Sequence, residues 1–203
     1  MLAAGHEVLR VVQGAPGDWA DGDGTHRLHT VIADSSSLPF LADSSVDGVV
    51  AEGRALSFHL ATEATVDEVA RVLRPGGRLL LCVDSLVLGM ACLAEQKRWV
   101  QLSDMPSADV VLVPAPDGTI TRCFWPDELS ELLSGSGLEV EWIRPRTVIS
   151  PSMVEGALEN DPRSLPRLVE TELSMDSGDQ ADESVGIHLV ASAKRPLTLP
   201  PPR

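Results

Sequence analysis

"DEVARVLRPGGRLLLCVD", Asp67 to Asp84, decides the fold. Thr65 and Glu68 stand three apart at its start, the spacing at which a threonine cap and a returning carboxylate satisfy the first free amides of a helix. Val66, Val69, Ala70 and Leu73 recur at i, i+3, i+4 and i+7, while Asp67, Glu68, Arg71 and Arg74 fall on the opposite face. Pro75 cannot continue the hydrogen-bond ladder, and Gly76 or Gly77 can take the left-handed conformation that closes a helix. From Leu79 to Val83 every residue is apolar. A strand without alternation is expected to be buried on both faces, as in a parallel sheet between helix layers.

Working outward, strand-like runs recur at Glu7 to Val12, His29 to Ala33, Val46 to Ala51, Arg78 to Val83, Leu138 to Ile143 and Gly186 to Ala193. Helical patterns separate several of them: the one above, a second over roughly Leu86 to Leu102, and a third from Pro126 carrying Leu129, Leu132 and Leu133 before Gly135. Alternating strands and helices predict an α/β fold with a doubly wound, mostly parallel sheet, the last run returning antiparallel at an edge. One domain is expected over residues 1–195, followed by a proline-rich tail over 196–203 with no core to join.

The chain has 203 residues, 43% of them hydrophobic, enough for a real core. The longest greasy run, Leu86 to Ala94, is too short to cross a bilayer, so no membrane partner is expected. A net charge of −14 would repel a phosphate backbone, which argues against nucleic acid. Nine acids between Glu155 and Glu183 face only Arg163 and Arg167, the pattern of a solvated, partly flexible surface segment. Cys82, Cys92 and Cys123 are odd in number and unpatterned, which fits small buried hydrophobes in a reducing cytoplasm.

The loop "GAPGDWADGDG" (Gly14 to Gly24) is rich in glycine and aspartate but fails three sharper readings. It lacks acids at calcium-loop spacing, it lacks the Gly-Lys-Ser/Thr of a phosphate loop, and no helix pattern follows it as a dinucleotide turn would require. His26 and His29 have no third ligand nearby, so no metal site is assigned.

Four pieces then stand in a telling order: "VIADSSSLPF" (Val31 to Phe40), "DSSVDGVVAEG" (Asp43 to Gly53), "VDEVARVLRPGGRLLLCVD" (Val66 to Asp84) and "FWPDELSELLSGSGLEVEWI" (Phe124 to Ile143). In sequence and spacing they resemble the Rossmann-like S-adenosylmethionine-dependent methyltransferases, over about Leu2 to Ala193. The resemblance implies a largely parallel sheet with an antiparallel edge hairpin and S-adenosylmethionine bound over the carboxyl ends of the strands. It implies that Asp34 accepts from the adenine amine and that the Ser35 amide meets a ring nitrogen; a carboxylate suits that amine because it offers only acceptors. The competing use of Asp34 is to cap the turn "DSSS" through its own backbone. Ala51, Glu52 and Gly53 would line the methionine part of the cofactor, with Glu52 near its ammonium.

Two departures stand out. The acid that would hold both ribose hydroxyls is replaced by Gln13, a neutral amide without charge assistance. The family's first strand and its glycine turn would lie upstream of Leu2, so the sheet is expected to be N-terminally truncated or degenerate. A vacated slot would leave two rows of amides and carbonyls unpaired, to be met by upstream chain, by the Glu7 to Val12 strand sliding over, or by another chain in a homo-oligomer.

Methyl transfer from a sulfonium mainly requires the acceptor and methyl carbon to be held in line. A base helps where the acceptor is a hydroxyl, and His59, in "ALSFHL", is the nameable catalytic candidate; Asp84, ending the next strand, is a further pocket candidate. Met90 to Pro114, together with the acidic insert before the last strand, is expected to cover the acceptor, with Trp99 and Met105 either lining it or serving ordinary packing. The expected function is methylation of a small molecule with S-adenosylmethionine, with weak cofactor binding by this chain, or none, because the site is incomplete. The alternative is a non-catalytic methyltransferase-like binding module.

Overall fold

The computed structural model describes residues 1–13, 27–105, 108, 110–115, 117–147, 149, 151–176 and 186–197. The Gly14 to Gly24 loop, His26 and the tail from Thr198 onward lie outside them.

The deciding stretch forms α1 (Thr62–Val72) followed by β4 (Leu73–Ser85). The helix begins three residues before the expected cap. Thr65 Oγ1 instead donates to the Ala61 carbonyl at 3.1 Å. Glu68 does not turn back to the helix start, because it accepts from Arg71 Nε at 2.8 Å and from the Leu38 amide at 2.7 Å. Arg71 also donates to the carbonyls of Leu41 and Leu38 at 2.8 and 2.9 Å and to Asp43 at 2.7 Å, fastening the 38–43 segment onto α1. The helix stops at Val72, before Pro75, because Leu73 is already extended and pairs with Val46. Gly76 adopts φ +80°, while at Gly77 a Cβ would come within 2.8 Å of the Arg74 carbonyl oxygen, so backbone crowding demands glycine there.

The remaining strands are β1 (Val8–Val12), β2 (Leu28–Ile32), β3 (Val46–Ala51), β5 (Val111–Pro114), β6 (Ile120–Phe124), β7 (Glu139–Arg146) and β8 (His188–Lys194). β4 is the organising strand, paired in parallel with β3 and β6 and antiparallel with β8. Because Asp84 is already opposite His188, β6 must follow β3 along the other edge of β4. β8 then pairs antiparallel with β7, and β5 antiparallel with β6, completing a mixed six-stranded sheet with an antiparallel pair at each end; β7, not the last strand, is outermost beside β8. β1 and β2 form a separate parallel pair. Among the described residues β1 has not slid across to β3.

Leu73, Leu79, Leu81, Val83, Phe124, Leu129 and Leu133 are essentially inaccessible, packed between the sheet, α1 and α4 (Pro126–Gly135). Burying each such side chain stabilises the fold by roughly 1.5–3 kcal/mol. The other face departs from the expectation of burial on both sides. Val50, Leu80 and Trp142 share one cross-strand row with Ser192, and Val50 and Leu80 remain 47% and 41% exposed.

The expected Leu86 to Leu102 helix is two, α2 (Leu86–Glu95) and α3 (Trp99–Asp104), broken at Lys97 with φ +58°. Met105 is buried with Leu86, Leu93, Val111, Val113 and Cys123 in a second cluster, so it serves packing; Trp99 is exposed. The acidic segment is more ordered than expected: α5 (Pro151–Asn160) and α6 (Leu165–Asp176) occupy much of it. No helix among the described residues is long and apolar enough to cross a membrane.

Candidate functional site

Gln13, Asp34 and His59 follow β1, β2 and β3 in turn, and the structure brings all three together. Gln13 Nε2 donates to Asp34 Oδ1 at 3.5 Å and touches His59 Nε2, and His59 Nε2 lies 3.5 Å from the same carboxylate oxygen. Asp34 Oδ1 also accepts from the Ser36 amide at 2.9 Å and the Ser36 hydroxyl at 2.7 Å. These bonds to the charged form, Ser36 first, hold the Asp34 carboxyl below its ordinary range. The turn-capping use of Asp34 is therefore present, yet it occupies Oδ1. Its side chain is 62% exposed, and Oδ2 is uncommitted among the described residues. Ser35, next in the turn, is half-buried.

Ala51, Glu52 and Gly53 leave β3 at its carboxyl end. Glu52 Oε1 accepts from Arg146 Nη1 at 3.2 Å, across two exposed side chains. Gly53 and Arg54 both adopt positive φ, +78° and +62°, which folds the chain back on itself. Glycine takes this without cost, whereas Arg54 is held there by its contacts.

That reversal delivers Arg54 to a second cluster that the sequence reading only touched through Asp84. Asp84 pairs with His188 across β4 and β8, and His188 with Arg146 across β8 and β7, so the three side chains form one row on one face. Arg54 Nη1 lies 3.2 Å from Asp84 Oδ1, and His188 Nε2 3.5 Å from the same atom. The Asp84 amide donates to the Ser57 hydroxyl at 2.7 Å, and the Ser57 carbonyl accepts from the Arg122 amide at 2.8 Å, locking the turn under β6. The Asp84 side chain is 2% exposed; burial pushes its carboxyl up, opposed by Arg54 and His188. Burial pushes His188 down, aided by Arg54 and Arg146 and opposed by Asp84.

Arg54, Ser57, Arg146 and His188 were not singled out by the sequence. A signal existed: Asp84 directly follows the apolar run Leu79 to Val83 and His188 directly precedes Leu189 to Ala191, but only the register shows that they face each other. Cys82 and Cys123 are buried with thiols pushed up, Cys123 to about 12, by desolvation, which makes them poor nucleophiles.

The donors and acceptors around Asp34 fit S-adenosylmethionine: an exposed, ionised, acceptor-only carboxylate, an adjoining backbone amide at Ser35, and an amide side chain at Gln13. A family model described as a methyltransferase domain matches residues 15–81, which contain Asp34, the Glu52–Gly53 turn and the LRPGG segment. The demethylmenaquinone methyltransferase of Mycolicibacterium paratuberculosis is 30% identical over 156 residues, 67% of this chain; the chain spans 65% of that relative's length. A crystal structure of the Burkholderia thailandensis 1,6-didemethyltoxoflavin-N1-methyltransferase, with 1,6-didemethyltoxoflavin and S-adenosylhomocysteine bound, superposes with a TM-score of 0.58 at 19% identity, covering 96% of this chain and 64% of that one. A Methanosarcina mazei S-adenosylmethionine-dependent methyltransferase gives 0.52 at 21% identity, covering 84% and 68%. The last two likenesses bear on the fold, the first two on sequence. By sequence over residues 15–81 and by fold over most of its length, the chain is similar to the Rossmann-like methyltransferases that use S-adenosylmethionine.

Proposed function

We propose that this chain methylates a small-molecule acceptor at the expense of S-adenosylmethionine. The observation that carries the reading is the meeting of Gln13 and Asp34, from the ends of β1 and β2, with His59 from the segment that leads from β3 into α1. When bound, the cofactor supplies a methyl group already activated as a sulfonium. The chain has to grip and orient. Asp34 Oδ2 accepts from the adenine amine, the Ser35 amide donates to the ring, and Gln13 offers one bond to a ribose hydroxyl. Ala51, Glu52 and Gly53 border the methionine part. The Glu52–Arg146 pair is solvent-exposed and weakly held, so Glu52 can exchange it for the ligand ammonium. His59 braces Gln13 and Asp34.

Calorimetry with S-adenosylhomocysteine tests this. The expected result is measurable binding, weakened about tenfold or more by Asp34→Ala, the scale of a lost charge-assisted hydrogen bond. Absence of binding at about 1 mM ligand, some 4 kcal/mol of affinity, would overturn the reading.

A further inference from the structure

The Arg146–His188–Asp84 row, closed by Arg54, has no part in gripping the cofactor, yet it gathers a buried carboxylate, an imidazole and a guanidinium at the carboxyl end of the central strand. Resting on the methyltransferase reading, we propose that this row is the acceptor subsite and that its substrates carry an acidic hydroxyl, a phenol or enol, whose proton passes to His188 and whose oxygen anion is held by Arg54. Asp84 is the positioning residue.

The geometry assigns each role. His188 presents Nε2 to Asp84 Oδ1, so with the Nε2 hydrogen on the carboxylate side the lone pair resides on Nδ1. Its side chain is 17% exposed, open to a ligand yet shielded from bulk water. Arg54 engages Asp84 only through Nη1 among the described residues, and its side chain is 38% exposed, leaving the rest of the guanidinium for an anionic oxygen. Phe58 lies against that guanidinium, 4.9 Å from ring centroid to Cζ, and offers an aromatic acceptor an apolar wall. The groups facing His188 are Asp84, Arg54, Arg146 and, until it turns to the ligand ammonium, Glu52. A neutral imidazole beside the Asp84 carboxylate can accept a proton when an anion forms next to it. The step closes: the O–H proton moves to His188 Nδ1, the oxygen attacks the methyl carbon, the C–O bond forms, and the C–S bond breaks with its electron pair on sulfur. The positive charge thereby passes from sulfonium to imidazolium, from which water removes the proton.

The test uses the full chain saturated with S-adenosylhomocysteine, titrated with 4-nitrophenol, whose phenolate is coloured, and with 4-nitroaniline, which has no acidic hydroxyl. Bound nitrophenol is expected to ionise at lower pH than free nitrophenol and to bind at least tenfold more tightly than nitroaniline. His188→Gln should abolish the ionisation shift, Arg54→Gln should weaken nitrophenol about tenfold, and Asp84→Asn should reduce the shift without changing S-adenosylhomocysteine affinity. Arg54→Lys, retaining charge and fold, should restore part of the binding. Equal binding of the two probes, no nitrophenol binding, or a shift that survives His188→Gln would overturn the acceptor assignment while S-adenosylhomocysteine still binds. Loss of S-adenosylhomocysteine binding by the wild-type chain would instead overturn the methyltransferase reading beneath it.

Discussion

Two aspartate–histidine pairs stand in this molecule with the same separation, His59 Nε2 and His188 Nε2 each 3.5 Å from a carboxylate oxygen of Asp34 and Asp84. Their surroundings are opposite. Asp34 lies in a solvent-facing turn, where Ser36 donates two bonds to its charge, and its carboxyl is pulled down. Asp84 is sealed in the middle of the large sheet, and its carboxyl is pushed up. The same pair of residue types therefore has opposite electrostatics, and the proposed roles follow that difference: a fixed negative acceptor for an adenine amine, and a proton-handling row for a methyl acceptor. The frameworks differ in the same way. Among the described residues β1 and β2 pair only with each other, whereas β4 is paired along both edges and packed against α1 and α4 on its inner face.

The contrast breaks first at its scaffold. Leu81→Ala, in the large sheet, should lose about 3 kcal/mol in urea unfolding, and Val11→Ala, in the half-exposed β1, about 1 kcal/mol or less. Equal losses would mean that the strand pair is as firmly built as the sheet. Next comes Asp84→Ala, which strands Arg54 against a buried backbone; discounted for the exposure of Arg54, the cost should be about 1–2 kcal/mol. Asp34→Ala, by comparison, should leave the thermal midpoint unchanged while cutting cofactor affinity.

The acid limb separates the pairs by sign. Asp34 has a lowered carboxyl, so its stabilising contribution is present above the ordinary value of 3.8 and fades as pH falls through the native value. Asp84 has a raised carboxyl, so its buried charge costs stability at neutral pH, and that cost is relieved as pH falls through the raised value toward the ordinary 3.8. His188, lowered, contributes in full above its ordinary 6.5 and loses that contribution as pH falls through its native value. Stability of the wild type relative to Asp84→Asn should thus rise on acidification, while that relative to Asp34→Asn and His188→Gln should fall. The smallest effect is expected at Arg146→Gln, which releases the exposed Glu52 and should change cofactor affinity less than threefold, as an exposed pair allows.

Much of the fold was legible because apolar runs are strong signals: six strand runs fall on β1 to β4, β7 and β8, and Pro126 opens α4 as proline position rules require. β5 and β6 were missed because they are short and β6 carries Thr121 and Arg122, the latter buried only by virtue of Glu63 and Glu128. The start of α1 was misplaced because Glu68 is claimed by Arg71 and by Leu38, thirty residues away, which no local spacing reveals. Gln13, Asp34 and His59 were each named from sequence, but their meeting is a tertiary fact. His188 was invisible for the same reason: the chain places it 104 residues from Asp84, and only the antiparallel register sets them side by side.

Carbon-detected NMR titration of the side-chain carboxyls, assigned with Asp34→Asn and Asp84→Asn, tests the opposition of the two pairs most directly. The expected result is an Asp34 carboxyl titrating below 3.8 and moving on addition of S-adenosylhomocysteine, and an Asp84 carboxyl titrating above 3.8. Matching titrations, a reversed order, or an Asp34 signal indifferent to the ligand would contradict it.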